Sequence, residues 1–120
     1  MSYSAALPVQ PVAQLFKALG DDARLRIVAL LAHGELCVCH LQEALGLTQP
    51  TASRHMAVLR HARVVEARRE GSWVYYRLAN QEDDARKRQL RAVVREFARR
   101  ETLRRDVERL LLVRGPGACR

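Results

Sequence analysis

The chain has 120 residues, 48% of them apolar, with 21 Lys and Arg against 13 Asp and Glu for a net charge of +8. That length suits one domain whose modest core gains from a second copy, and the positive surplus favours polyanions as partners. The longest apolar run, residues 27–32, is too short to span a bilayer, so no membrane partner is expected.

The first residues lack a basic region followed by an apolar stretch, which predicts a cytoplasmic location. Three cysteines cannot all pair, and the cytosol keeps thiols reduced, so they are expected to be thiols or ligands rather than a disulfide framework.

In chain order, residues 1–10 read as a flexible arm, with Pro8 and then Pro11 at its edge. A first helix is predicted over about Pro11–Leu19 from Val12, Leu15, Phe16 and Leu19 at helical spacing, ending at Gly20. Asp21 or Asp22 then caps a second, Ala23–His33, apolar nearly all round and stopped by Gly34. A third runs from about Cys39 to Leu45 and ends at Gly46. Thr48 caps a fourth, Gln49–His61, with Pro50 in its first turn, where the missing N–H costs nothing. The Gly46-Leu47-Thr48 link has the length of a helix-turn-helix connection.

After Ala62 the apolar period becomes two on either side of Glu70-Gly71, which predicts a β-hairpin. From about Gln81 the pattern is helical again. Leu90, Val93, Val94 and Phe97 form one face, and Leu103, Val107, Leu110 and Leu111 form a second out of phase with it, so a break is expected near Arg99–Thr102. Gly115-Pro116-Gly117 ends the order and leaves Cys119 on a flexible tail, 114–120.

The predicted class is mainly α with a β-hairpin wing, a dimeric winged helix-turn-helix. Its DNA-binding domain covers 11–80 and a C-terminal helical dimerisation segment covers 81–113. Residues 47–80 hold six arginines against Glu66 and Glu70. A recognition helix places short polar side chains and arginines at its N-terminal end, which enters the major groove of double-stranded operator DNA. Gln49, Thr51, Ser53, Arg54 and His55 are placed that way, with Arg54 suited to guanine and Gln49 to adenine. Arg60 and Arg63 suit phosphate contacts, and Arg68, Arg69, Gly71 and Ser72 suit a wing beside the backbone. Trp73, Tyr75 and Tyr76 are assigned to packing.

Cys37-Val38-Cys39 stands before the third helix. Residues two apart diverge in a helix and share a face in extended chain, so both sulfurs meet one ion only if the helix start is unwound. From spacing alone the pair suits soft-ion ligands and small apolar fillers equally.

Glu35-Leu36-Cys37-Val38-Cys39-His40-Leu41, Thr48 to Met56 as TQPTASRHM, Gly71 to Leu78 as GSWVYYRL, and the early Leu15 to Leu25 as LFKALGDDARL together resemble the ArsR family (ArsR/SmtB type) over about residues 11–80. The resemblance implies a homodimer that represses an arsenic-resistance operon. It also implies release from the operator when arsenic(III) or antimony(III) binds thiolates at Cys37 and Cys39, with no catalytic cofactor and no enzymatic activity. Some arsenic-sensing members carry a third cysteine where this chain has Gln42, and many have Asp where His40 stands. Arsenic(III) prefers three thiolates, so Cys119 becomes the candidate third ligand beside a solvated tail thiol as the alternative. His40 offers a route to zinc. Other soft ions (Cd, Pb, Zn) or thiol oxidation at the same cysteines are the competing inducers. The His and carboxylate site that zinc- and cobalt-sensing relatives carry on the C-terminal helix has no counterpart, since residues 81–120 contain no His.

Overall fold

Residues 9–113 are described by the structure, a computed structural model, and they form six helices and three strands. Residues 1–8 of the expected arm and the expected tail 114–120, Cys119 included, lie outside the described residues.

Helix α1 (Gln10–Leu19) carries Pro11 in its first turn and buries Leu15, Ala18 and Leu19. Helix α2 (Asp22–Leu31) is capped by Asp21, whose carboxylate accepts from the backbone N–H of Ala23 at 2.8 Å and of Arg24 at 3.2 Å. Its Ile27, Val28, Ala29, Leu30 and Leu31 are all buried, which makes it the central core helix. Strand β1 (Leu36–Cys37) then leads directly into α3 (Val38–Leu45).

Gly46 closes α3 in the left-handed region, at φ +67°, with its N–H on the carbonyl of Gln42. A Cβ added there meets nothing within 4 Å, so Gly46→Ala carries only the backbone cost. That substitution is expected to destabilise the domain by about 1–2 kcal/mol, read as a lower urea midpoint. Helix α4 (Gln49–His61) starts at Thr48, whose hydroxyl accepts from the Thr51 N–H at 3.4 Å.

Strands β2 (Val65–Glu70) and β3 (Trp73–Leu78) pair antiparallel with Glu70 opposite Trp73, so the two-residue turn is Gly71-Ser72. It falls one residue later than expected because Gly71, at φ +62°, takes the first turn position, where a left-handed residue matches the twist of the strands. The sheet has three strands in the order β1-β3-β2, and β1 was not foreseen.

Helices α5 (Asp84–Phe97) and α6 (Glu101–Val113) follow, separated at Ala98–Arg100. α5 lies on α1 and α2 of its own chain, and α6 lies on α3 and α2. The buried stripe of α6 is Leu103, Asp106 and Leu110, whereas Leu111 is 66% exposed. The apolar set expected there therefore points partly outward, since a carboxylate takes an inward position.

Candidate nucleic-acid interface and thiol site

The period of α4 divides it cleanly. Ala52, His55, Met56 and Leu59 face inward, and Gln49, Ser53, Arg54, Ala57 and Arg60 are exposed. Four expected contact residues, Gln49, Ser53, Arg54 and Arg60, thus share the solvent face. Thr51 is half-buried, and its hydroxyl accepts a hydrogen bond from that of Thr48 at 2.9 Å, which occupies it in the cap.

His55 does not face outward as expected. It is 7% exposed, and Arg24 Nη1 lies 3.1 Å from its Nδ1. A guanidinium only donates, so Nδ1 accepts and the ring proton sits on Nε2, 3.9 Å from Asp21 Oδ1. Arg24 Nε also donates to the Ala18 carbonyl at 2.6 Å. The imidazole therefore pins α4 to the corner between α1 and α2. Burial works to raise the Asp21 carboxyl, but the Arg24 backbone N–H, the Arg24 charge and the Ala23 N–H hold it below the usual range.

The C-terminal end of α4 is held by residues the sequence reading missed. Arg86 of α5, 6% exposed, donates from Nη2 to the Ala62 carbonyl at 2.7 Å, and burial pushes its guanidinium pKa down. Gln81 Nε2 donates to the carbonyls of Arg63 at 2.9 Å and Ala79 at 3.0 Å. Arg63 itself sits at φ +61°, outside α4, in a conformation that non-glycine residues adopt at a cost.

On the hairpin, Arg68 is enclosed by carboxylates. Its Nη2 and Nε donate to Glu35 at 2.6 and 3.2 Å, its Nη1 donates to Glu70 at 2.6 Å, and its Cζ lies 4.7 Å above the Tyr75 ring. The bonds to Glu35 and then Glu70 raise its pKa, and the same Arg68 bond holds the Glu35 carboxyl low. Arg69 is exposed, with no ion pair among the described residues. Tyr76 packs on the core as expected, while Trp73 is 38% exposed at the hairpin end.

The cysteines lie on and beside the opposite edge strand of this sheet, and Cys39 is disulfide-bonded, contrary to the expectation that the cysteines are thiols or ligands. Cys37 pairs with Tyr75 across β1 and β3, and Tyr75 pairs with Arg68 across β3 and β2, so thiol, ring and guanidinium stand in one row. Cys37 caps α3 with extended backbone, at φ −72° and ψ 145°, and Cys39 is the second residue of the helix. This is the unwound start that the spacing required. The two Sγ atoms are 3.0 Å apart, with Cys37 1% exposed and Cys39 half-buried. His40 follows on the same helix and is also half-buried. Among the described residues no group of three or more His, Cys, Asp or Glu stands ready for a metal ion. With Cys39 reduced, two thiolates on one side of a helix start suit a soft, thiophilic ion that draws its remaining donors from elsewhere.

Residues 21–67 match the family described as bacterial regulatory protein, arsR family. The fold is similar to that of the homodimeric winged helix-turn-helix DNA-binding domain of Mb0332 from Mycobacterium bovis, described as a possible ArsR-family transcriptional regulator. The two share 41% identity at a TM-score of 0.64, over 83% of this chain and 91% of that one. The chain belongs to the arsR family. Within it, the sequence is 51% identical over 77 residues to the arsenical resistance operon repressor of Escherichia coli, covering 63% of this chain and 62% of that protein. It is also 41% identical over 80 residues to a cadmium resistance transcriptional regulatory protein CadC homolog of Staphylococcus aureus, covering 66% of this chain and 63% of that protein. This arsR-family chain thus spans about three-fifths of the length of those two curated relatives. Its winged helix-turn-helix fold is the one expected from the sequence, and no helix among the described residues is long and apolar enough to cross a membrane.

Proposed function

We propose that the chain is a repressor that binds operator DNA as a homodimer and is released when arsenic(III) or antimony(III) binds the thiolates of Cys37 and Cys39, with Cys119 as third donor. The observation that carries this reading is the approach of the two sulfurs to 3.0 Å at the junction of β1 and α3. α3 is the positioning half of the helix-turn-helix, so an ion that gathers both sulfurs biases the placement of α4. The arsenic-named relative in E. coli supports the choice of ion, and the cadmium-named relative supplies the competitor.

Gln49, Ser53 and Arg54 read bases, and Arg60 and Arg69 hold phosphates. Arg68 contributes less than Arg69, because Glu35 and Glu70 already balance its charge. Arg69→Ala is expected to lower the slope of log affinity against log salt by about one, and Arg68→Ala by less than half that. Fluorescence anisotropy on a duplex across a salt series checks both. In the dimer, Phe16, 49% exposed on α1, is offered to the second copy, whereas Leu90 is already buried in its own chain.

The disulfide at Cys39 supports thiol oxidation as the second reading. The deciding experiment titrates arsenite, antimonite, cadmium, zinc and peroxide into the complex with duplex DNA from the promoter preceding the chain's own coding sequence. Release by arsenite and antimonite at concentrations at least tenfold below those of cadmium and zinc is expected. Release by peroxide alone, reversed by a thiol reductant, sinks the metalloid reading.

A further inference from the structure

Helix α4 lies between two basic clefts, and the sequence reading gave a role to only one of them. On the hairpin side, Ser53, Arg60, Arg63 and Tyr76 line an opening of about 520 Å³. On the other side, Gln14 and Lys17 of α1 face Arg54, Val58 and His61 of α4 across an opening of about 480 Å³. Ala57 and His61 line both, so the two clefts meet along one ridge, the outward face of α4.

No Asp or Glu lines either cleft. Among the described residues, Lys17, Arg54, Arg60 and Arg63 make no ion pair, whereas Arg24, Arg26, Arg68 and Arg77 each have a carboxylate partner. Four uncompensated cations therefore flank α4.

A helix with its side chains is about 10–12 Å across and the major groove of B-DNA about 12 Å wide, so a helix seated there has a sugar-phosphate strand on either side. Arg60 and Arg63 stand on the side of one strand, and Gln14 and Lys17 stand on the side of the other. The wall beside Lys17 is apolar, with Ala18, Val58 and Ala62, which suits a lysine whose methylene stem lies along it and whose ammonium stands at the rim. Phe16, offered to the second copy, does not line the cleft, so the two contacts use different sides of α1.

We infer that Lys17 and Gln14 of α1 hold the phosphate backbone of one operator strand, while Arg60 and Arg63 hold that of the other. This rests on the proposal that the chain binds operator DNA through α4. Lys17 supplies a charge and Gln14 a neutral donor, so only Lys17 releases a counterion on binding. Phosphates carry no sequence information, so both residues set how α4 is seated in the groove and leave its choice of bases unchanged.

The test measures binding of the full chain to duplex DNA from the promoter preceding its own coding sequence, and to an unrelated duplex of equal length, by fluorescence anisotropy across a salt series. Lys and Gln have similar helix propensity, so Lys17→Gln is expected to keep the wild-type unfolding midpoint. It is expected to lower the slope of log affinity against log salt by about one per bound copy, on both duplexes alike. Gln14→Ala is expected to weaken both duplexes about two- to tenfold at the wild-type slope.

Operator duplexes with one phosphate at a time replaced by a neutral methylphosphonate locate the contact. At one phosphate in each half-site the replacement is expected to weaken wild-type binding and to leave Lys17→Gln unaffected, and a phosphate on the opposite strand is expected to behave so for Arg60→Gln. A wild-type slope in Lys17→Gln, or losses in that variant that match the wild type at every phosphate, overturns the α1 contact and leaves operator binding standing. Wild-type protein that binds neither duplex overturns both.

Discussion

Cys37→Ala and Cys39→Ala are each expected to bind operator DNA nearly as wild type does and to stay bound when arsenite is added. An effector that changes affinity 5- to 150-fold supplies about 1–3 kcal/mol of coupling, and that coupling needs an ion held in one state and not the other. With one sulfur gone, the two-thiolate bridge between β1 and α3 cannot form, so the expected shift in operator Kd on adding arsenite falls to none. Alanine is preferable to serine at 37, because that side chain is 1% exposed and a hydroxyl there enters an apolar setting. Fluorescence anisotropy with and without arsenite gives the result directly. Full arsenite release by both variants would remove the thiol pair from the mechanism.

The second large effect separates two adjacent residues on α4. Arg54→Ala is expected to weaken operator binding by about 1–3 kcal/mol, roughly 5- to 150-fold, with an unchanged melting temperature, because the side chain is exposed and suited to a guanine edge. His55→Ala is expected to do the reverse. It removes the acceptor for Arg24 from a buried corner and should cost about 1–3 kcal/mol of folding stability while leaving the salt slope of DNA binding unchanged. A paired measurement of unfolding midpoint and operator affinity on the two variants checks both halves. Equal losses of stability in the two would contradict the division of α4 into an inner and an outer face.

Much of the framework was legible because its punctuation is local. Thr48 as cap, Pro50 in the first turn and Gly46 at the preceding stop delimit α4 without reference to anything distant. β1 was not legible, since two residues carry no period and the strand exists only through its pairing with β3. Its consequence was partly foreseeable, as the Cys37 and Cys39 spacing demanded extended backbone at one of them. His55 was misplaced by reading residue type over phase. It lies three after Ala52 and four before Leu59, on the inner stripe, and that spacing was the available signal. Asp106 is a similar case, three after Leu103 and four before Leu110. Arg86 and Gln81 gave no such clue, because their targets are backbone carbonyls at the end of a helix some twenty residues away.

The inward turn of His55 also limits how much information α4 can extract from DNA. Its outward residues near the N-terminus run from Gln49 to Ala57, an interval of eight residues, or about 12 Å of helix and so about three to four base pairs of groove. In random sequence, a word of four base pairs recurs about every 256 positions, too often to mark one promoter among the competing sites of a genome. In the proposed dimer, two copies at fixed separation would read about eight base pairs, a word expected once in about 65,000 positions. Selectivity for one address on a chromosome therefore depends as much on holding two short readers at a set distance as on the side chains that do the reading.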